Sequence, residues 1–283
     1  MAKATTYALM SEADKLARVA DEVSAAYATE LGRVLRDLER ELRVLAQEAI
    51  AGSRGALARA VRGAKLRRQI QLALRAAGYD QLAEVATTIG LDRLVVQLER
   101  LRGAAKLAQF TSSDLTRILA LKELARLDLI GHGAEIAHAI WRTFASGLFS
   151  QRPIRDLLND LADALDVELY EARTFYDTTV NIFGRQVEAM KSTGEPEEVY
   201  AYMGPADIKL RPFCRARVGK VYTKAEIDAM DNEQLPNVFL TGGGYNCRHT
   251  WIALSKLSEL RDLVGTDRRM PEVEAALIGL PVG

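Results

Sequence analysis

The sequence predicts a mostly α-helical chain: long N-terminal helices and a helical bundle, followed by a small α+β C-terminal module. Three observations lead there. Apolar residues recur every three or four positions through most of the first 190 residues, the period of one helix face. The interruptions are short and rich in Gly. After Ser192-Thr193-Gly194-Glu195-Pro196 the helical period gives way to Gly, Pro and short β-prone pieces.

In chain order, residues 7–50 carry Leu16, Val19, Val23, Tyr27, Leu31, Leu35, Leu38, Leu42 and Leu45 on one stripe. This predicts a long amphipathic helix, packed in its own bundle or serving as a partner-binding arm. Gly52-Ser53-Arg54-Gly55 breaks it. Helices are then expected at about 56–77, 80–101, 113–129 and 133–146, separated by Gly78, Gly90, Gly103, a cap at Thr111-Ser112-Ser113 and a break at Gly131-His132-Gly133. Pro153 suits the first turn of the next helix. That helix, 154–191, bears a broad stripe from Ile154 through Leu161, Leu165, Ala172, Tyr176 and Val180 to Phe183. Strands are expected at 199–202 and 220–223, with a short helix at 223–231. Domain boundaries follow: a helical region (arm plus bundle) at 1–146, a compact module at 147–254, and an appendage at 255–283.

Composition excludes several classes. With 48% hydrophobic residues over 283 positions the chain can bury a core, so it is not disordered. Lys plus Arg equals Asp plus Glu at 38 each, and no global charge points to nucleic acid or membrane. No apolar run approaches the ~18 residues of a membrane span, and the N-terminus lacks an export-signal pattern; a soluble protein made without export is expected. Two cysteines are too few for a disulfide framework.

Charge is uneven locally. No acidic residue lies between Glu48 and Asp80, while Arg54, Arg59, Arg62, Lys65, Arg67, Arg68 and Arg75 do. The first reading is a solvated helix face, and the second a surface for phosphate or an acidic partner. No aromatic residues interleave to stack on bases.

The chemistry-bearing residues sit late. Cys214, Cys247 and His249 are three soft or borderline donors in a Gly-rich region. Zinc is one reading, with Asp207 the nearest fourth ligand in sequence, but strong zinc signatures pair cysteines in close knuckles and none is present; no cofactor is expected. A Cys214–Cys247 disulfide would close a loop of roughly 33 residues, worth about 3 kcal/mol in the loop-entropy model; two buried thiols are the other outcome. A nucleophilic cysteine with His249 as base is a third reading, since residues two apart share a face in an extended segment. His132 and His138, six apart, are read as ordinary surface or core residues.

Five elements occur in order: Ala172-Arg173-Thr174, Gly204-Pro205-Ala206-Asp207, Arg211-Pro212-Phe213-Cys214, Gly219-Lys220-Val221-Tyr222-Thr223, and Gly242-Gly243-Gly244-Tyr245-Asn246-Cys247-Arg248-His249-Thr250-Trp251. Over about residues 150–254 this resembles the phage Mu protein F and SPP1 minor head protein family. Phe175 stands where that family often has an acidic residue. The resemblance implies a structural, non-enzymatic minor head protein of a tailed phage, present in several copies per virion. It would be assembled in the host cytoplasm, associate with portal or capsid proteins, and act in head morphogenesis or genome delivery. Arg173, Asp207, Arg211, Cys214, Gly243, Asn246, Cys247, Arg248, His249 and Trp251 would be its structural motif. The alternatives are a phage-delivered effector or enzyme using Cys247 and His249, and an internal protein contacting packaged DNA through the basic run.

Overall fold

The structure is a computed structural model that describes residues 2–51, 56–150, 153–254, 266, 268–270 and 274, with side chains from 7–48, 65–147, 150 and 153 onward. It is mostly helical, with one small sheet near the C-terminal end. The helices are α1 (Ala2–Ala51), α2 (Ala56–Ala76), α3 (Tyr79–Val85), α4 (Leu91–Ala104), α5 (Ser112–Phe149) and α6 (Ile154–Ala189); a π-helical turn, Ala86–Gly90, joins α3 to α4. The short helices α7 (Pro212–Arg217), α8 (Lys224–Asp228) and α9 (Val238–Thr241) alternate with β1 (Val199–Met203), β2 (Val221–Thr223) and β3 (Thr250–Ala253).

Two compact units divide the chain, and they cut across its linear order. One comprises residues 1–23, 89–123 and 177–283; the other comprises 24–88 and 124–176. The boundary expected near residue 146 is not among the points where the units change.

In the second unit the helices pack by apolar stripes. On α1, Tyr27, Leu31, Val34, Leu35, Leu38 and Leu42 are buried, each large side chain worth up to about 1.5–3 kcal/mol of transfer free energy. Its other face carries exposed ion pairs such as Arg33–Glu30 and Arg43–Glu39. Three buried tyrosines join the layers. The Tyr27 and Tyr176 rings stack at 4.1 Å, the Tyr79 hydroxyl donates to the Leu129 carbonyl at 2.9 Å, and the Tyr176 hydroxyl donates to the Ala86 carbonyl, at the start of the π turn, at 2.9 Å. Buried hydroxyls thus find acceptors, as an apolar interior requires.

One predicted break is absent. α5 runs unbroken through Gly131-His132-Gly133, because Gly133 serves packing: a Cβ there would meet the Tyr79 ring at 2.4 Å. Gly90 closes the π-helical turn and α4 starts at the next residue, so the helical period changes there without an intervening loop. The Thr111 cap is present as a reciprocal pair with Asp114, the Thr111 N–H donating to the carboxylate at 2.8 Å and the Asp114 N–H to the Thr111 hydroxyl at 3.3 Å. His132 stacks on Phe175 at 4.4 Å and His138 on Trp141 at 5.4 Å, both as packing residues.

In the first unit, α1 is no free arm: Leu9, Ala13, Leu16, Ala17, Ala20 and Val23 are buried. β1 is the middle strand of an antiparallel sheet, order β2-β1-β3, and all five of its residues are buried. Tyr202 pairs with Trp251 in the β1–β3 register and Ala201 with Val221 in β1–β2. β3, α7 and α9 are elements the sequence pattern did not predict. Of the appendage at 255–283 only residues 266, 268–270 and 274 are described. There Met270 is buried and its N–H donates to the Gly219 carbonyl at 2.9 Å, so this part packs on the module.

Candidate functional site, a buried cysteine-histidine cluster

Four parts of the module deliver one side chain each to a common point. Tyr202 comes from β1, Cys214 from α7, Cys247 from the turn after α9, and His249 from the residue before β3. Both cysteines are 2% exposed and His249 4%. The sulfurs stand 3.8 Å apart as free thiols, not as a disulfide. Cys247 Sγ lies 3.9 Å from His249 Nδ1, and the three donor atoms all fall within 4.8 Å of one another. The Tyr202 hydroxyl is 3.2 Å from Cys247 Sγ and 3.5 Å from Cys214 Sγ.

The turn that carries Cys247 explains the glycines. The Gly243 N–H donates to Cys247 Sγ at 3.1 Å, and a Cβ on Gly243 would meet Cys214 Sγ at 2.5 Å. A residue without a side chain is needed for the backbone to lie this close to two sulfurs. Asn232, itself buried, holds the turn from outside: its amide donates to the Gly242 carbonyl at 2.9 Å and its oxygen accepts from the Leu235 N–H at 2.8 Å. Asn246 is fixed by its N–H donating to the Thr178 hydroxyl at 3.2 Å.

Arg185 of α6 is the residue that sequence reasoning missed. Its Nη1 donates to the carbonyls of Cys247 and His249 at 3.0 and 2.6 Å, and its Nε donates to the Leu240 carbonyl at 2.5 Å. It is 3% exposed, and among the described residues no carboxylate pairs with it. A signal existed. Thr178, Asn181, Arg185 and Glu188 recur at i, i+3, i+7 and i+10 on α6, a polar stripe beside the apolar one, and three of the four are buried. Glu188 takes a 2.7 Å ion pair from Arg102; burial still pushes its carboxyl up to about 7, against the pull of Arg102.

The thiols share protons unequally. The hydrogen bond to Cys247, and burial after it, push the Cys214 thiol far up. That same bond pulls Cys247 well down, burial opposing and His249 and Arg185 assisting. Burial, then the two sulfurs, keeps Tyr202 protonated. Of the two sulfurs, Cys247 is the one these interactions make readier to lose its proton, and the Gly243 N–H and the Tyr202 hydroxyl lie beside it. His249 Nε2 lies 3.2 Å from the Pro205 carbonyl. A carbonyl only accepts, so this nitrogen carries a proton, and Nδ1 is the nitrogen that faces Cys247.

No protein-family model, curated protein or solved structure matches this chain.

The other motif residues fall into place by geometry. Asp207, the sequence candidate for a fourth metal ligand, is engaged instead by Arg248, whose Nη2 donates to both carboxylate oxygens at 2.7 and 2.8 Å. Arg248 also approaches Asp21 of α1 at 3.6 Å. Arg211 donates to the Gln234 side chain at 3.0 Å rather than to Asp207. Trp251 packs on Tyr202 at 4.4 Å and donates to the Val238 carbonyl at 3.1 Å, so it covers the phenol and not the sulfurs directly. Arg173 is exposed and belongs to the other compact unit. In the basic run, Lys65, Arg67, Arg68 and Arg75 are exposed opposite buried Leu66, Ile70 and Leu74, which is the solvated face of an amphipathic helix. Arg75 pairs with Asp80 at 3.5 Å and Arg67 lies over Trp141, while the side chains of Arg54, Arg59 and Arg62 lie outside the described residues.

Proposed function

We propose that the chain is a structural minor head protein of a tailed phage, associated with the portal or the capsid interior and acting in head morphogenesis or genome delivery. One observation carries this reading beyond the sequence resemblance. Four of the five motif elements interlock around the buried cysteine pair: Asp207 with Arg248, Arg211 with the loop before α9, Cys214 against Cys247, and Val221-Tyr222-Thr223 as β2 on β1. Residues that share one interior are bound together by folding, whatever surface the protein presents to a partner. The cysteines support a scaffold rather than a nucleophile, because a reactive thiolate needs an approach path and both sulfurs are enclosed.

The test is electron microscopy of assembled heads together with protein mass spectrometry of the same particles. The expected result is this chain at low, fixed copy number, in density at the portal or inner capsid wall. Absence of the chain from both precursor and mature heads would overturn the proposal. The effector reading predicts a thiol-dependent activity that Cys247→Ser abolishes in folded protein, and the DNA-contact reading predicts affinity falling steeply with salt.

A further inference from the structure

We propose that Cys214, Cys247 and His249 bind a structural zinc ion, with the Tyr202 hydroxyl oxygen at the fourth corner. The first support is metric. Zinc–sulfur bonds of about 2.3 Å at a tetrahedral angle place two sulfurs about 3.8 Å apart, and these sulfurs are 3.8 Å apart. Substituting nitrogen or oxygen at about 2.0–2.1 Å shortens the edge to about 3.5–3.6 Å. The corresponding separations are 3.9 Å for Cys247–His249 and 3.2 and 3.5 Å for Tyr202 to the two sulfurs, and the remaining Cys214–His249 edge lies within 4.8 Å.

The second support is the way each donor is oriented. His249 Nε2–H is bound by the Pro205 carbonyl, which fixes the tautomer that presents Nδ1, as the outer partners of zinc-bound histidines do. The Gly243 N–H points at Cys247 Sγ, a donor that favours thiolate over thiol. Two thiolates neutralise a divalent ion, so the enclosed Arg185, bound to the carbonyls on either side of Arg248, meets no net like charge. A buried, soft, sulfur-nitrogen donor set selects zinc over magnesium or calcium.

The missing knuckle signature also has an explanation. Knuckles bring two cysteines together by a tight local turn, whereas here α7 and the turn after α9 bring together sulfurs that lie 33 residues apart. The fold supplies the spacing that the sequence does not. Binding expels the thiol protons to solvent, so affinity rises with pH.

The experiment uses the full chain, purified under reducing conditions without chelator. Elemental analysis should find one zinc per chain. After removal of metal and confirmation that both thiols are reduced, Co²⁺ should produce the near-ultraviolet absorption of thiolate–cobalt bonds and the visible bands of a tetrahedral site, both erased by added Zn²⁺. Tyr202→Phe, which keeps the ring, should weaken Co²⁺ binding about tenfold or more, and His249→Gln should weaken it further, with circular dichroism confirming that each variant is folded. Folded, reduced wild-type chain that carries no stoichiometric zinc and gives no thiolate–cobalt absorption would overturn the proposal. So would sulfurs isolated as a disulfide that, once reduced, take up no cobalt. Undiminished Co²⁺ binding in Tyr202→Phe would overturn the fourth corner.

Discussion

The helical unit of residues 24–88 and 124–176 and the module around Cys214 and Cys247 are stabilised by different means. In the first, long stripes of Leu, Ile and Tyr share the burial, each contact is one of many, and the helix backbones satisfy themselves. In the second, helices of four to six residues and strands of three to five leave many backbone groups without regular partners. Single side chains such as Arg185 and Asn232 satisfy them. A stripe tolerates change because its loss is spread out, whereas a turn held by one arginine does not.

The sharpest break of this contrast is Arg185→Leu. It leaves three carbonyls that had accepted from the guanidinium without their donor, so a loss of about 3 kcal/mol or more is expected. Arg33→Ala on the exposed face of α1 should cost under about 0.5 kcal/mol despite its two ion pairs. Urea unfolding of both variants makes the comparison, and equal losses would erase the distinction.

Glycines give the next test. Gly243→Ala drives a methyl into Cys214 Sγ and is expected to cost about 2–3 kcal/mol. Gly131→Ala, with nothing within 4 Å of the new carbon and a helical backbone around it, should raise stability by up to about 1 kcal/mol. Opposite signs in thermal melts are the expected outcome.

Within the helical unit, Glu168 tests whether stripes carry hidden electrostatic cost. Burial first, and Glu171 second, push its carboxyl up to about 7. A carboxyl whose pKa is higher folded than unfolded holds its proton more tightly when folded. Its stabilisation is therefore complete below the ordinary value of 4.5 and is lost as pH rises through about 7. Glu168→Gln should match wild type at pH near 4 and exceed it at pH near 8 by on the order of 1 kcal/mol. A constant difference across that range would refute the assignment. A small effect, of roughly 0.5–1 kcal/mol, is expected for Asp207→Asn, whose pairing with Arg248 is partly exposed.

The helices were legible because burial along α1 and α6 follows the 3.6-residue period. The stripe from Leu16 to Leu42 and the Thr111 cap are both found in the structure. The glycine pair in α5 misled, since a helix accepts Gly where another ring needs the room, and sequence does not distinguish that use from a break. α7 and α9 were invisible because four to six residues hold no period. At the cluster, the three donors and the glycine turn were readable as residues. Their geometry was not, and Arg185, legible only as one member of a polar stripe on α6, lies far in sequence from everything it holds.

The unit that contains the cluster is drawn from three separate stretches of chain, 1–23, 89–123 and 177–283. Of the four passages between units, those at 23/24, 123/124 and 176/177 fall inside α1, α5 and α6, and that at 88/89 falls inside the π-helical turn. A contiguous gene fragment that begins near residue 147 would encode every motif of the resemblance and still omit two of the three stretches. For inheritance by recombination, or for expression of a fragment, the transferable piece is therefore nearly all of residues 1–283, although the recognisable signature occupies about a third of them.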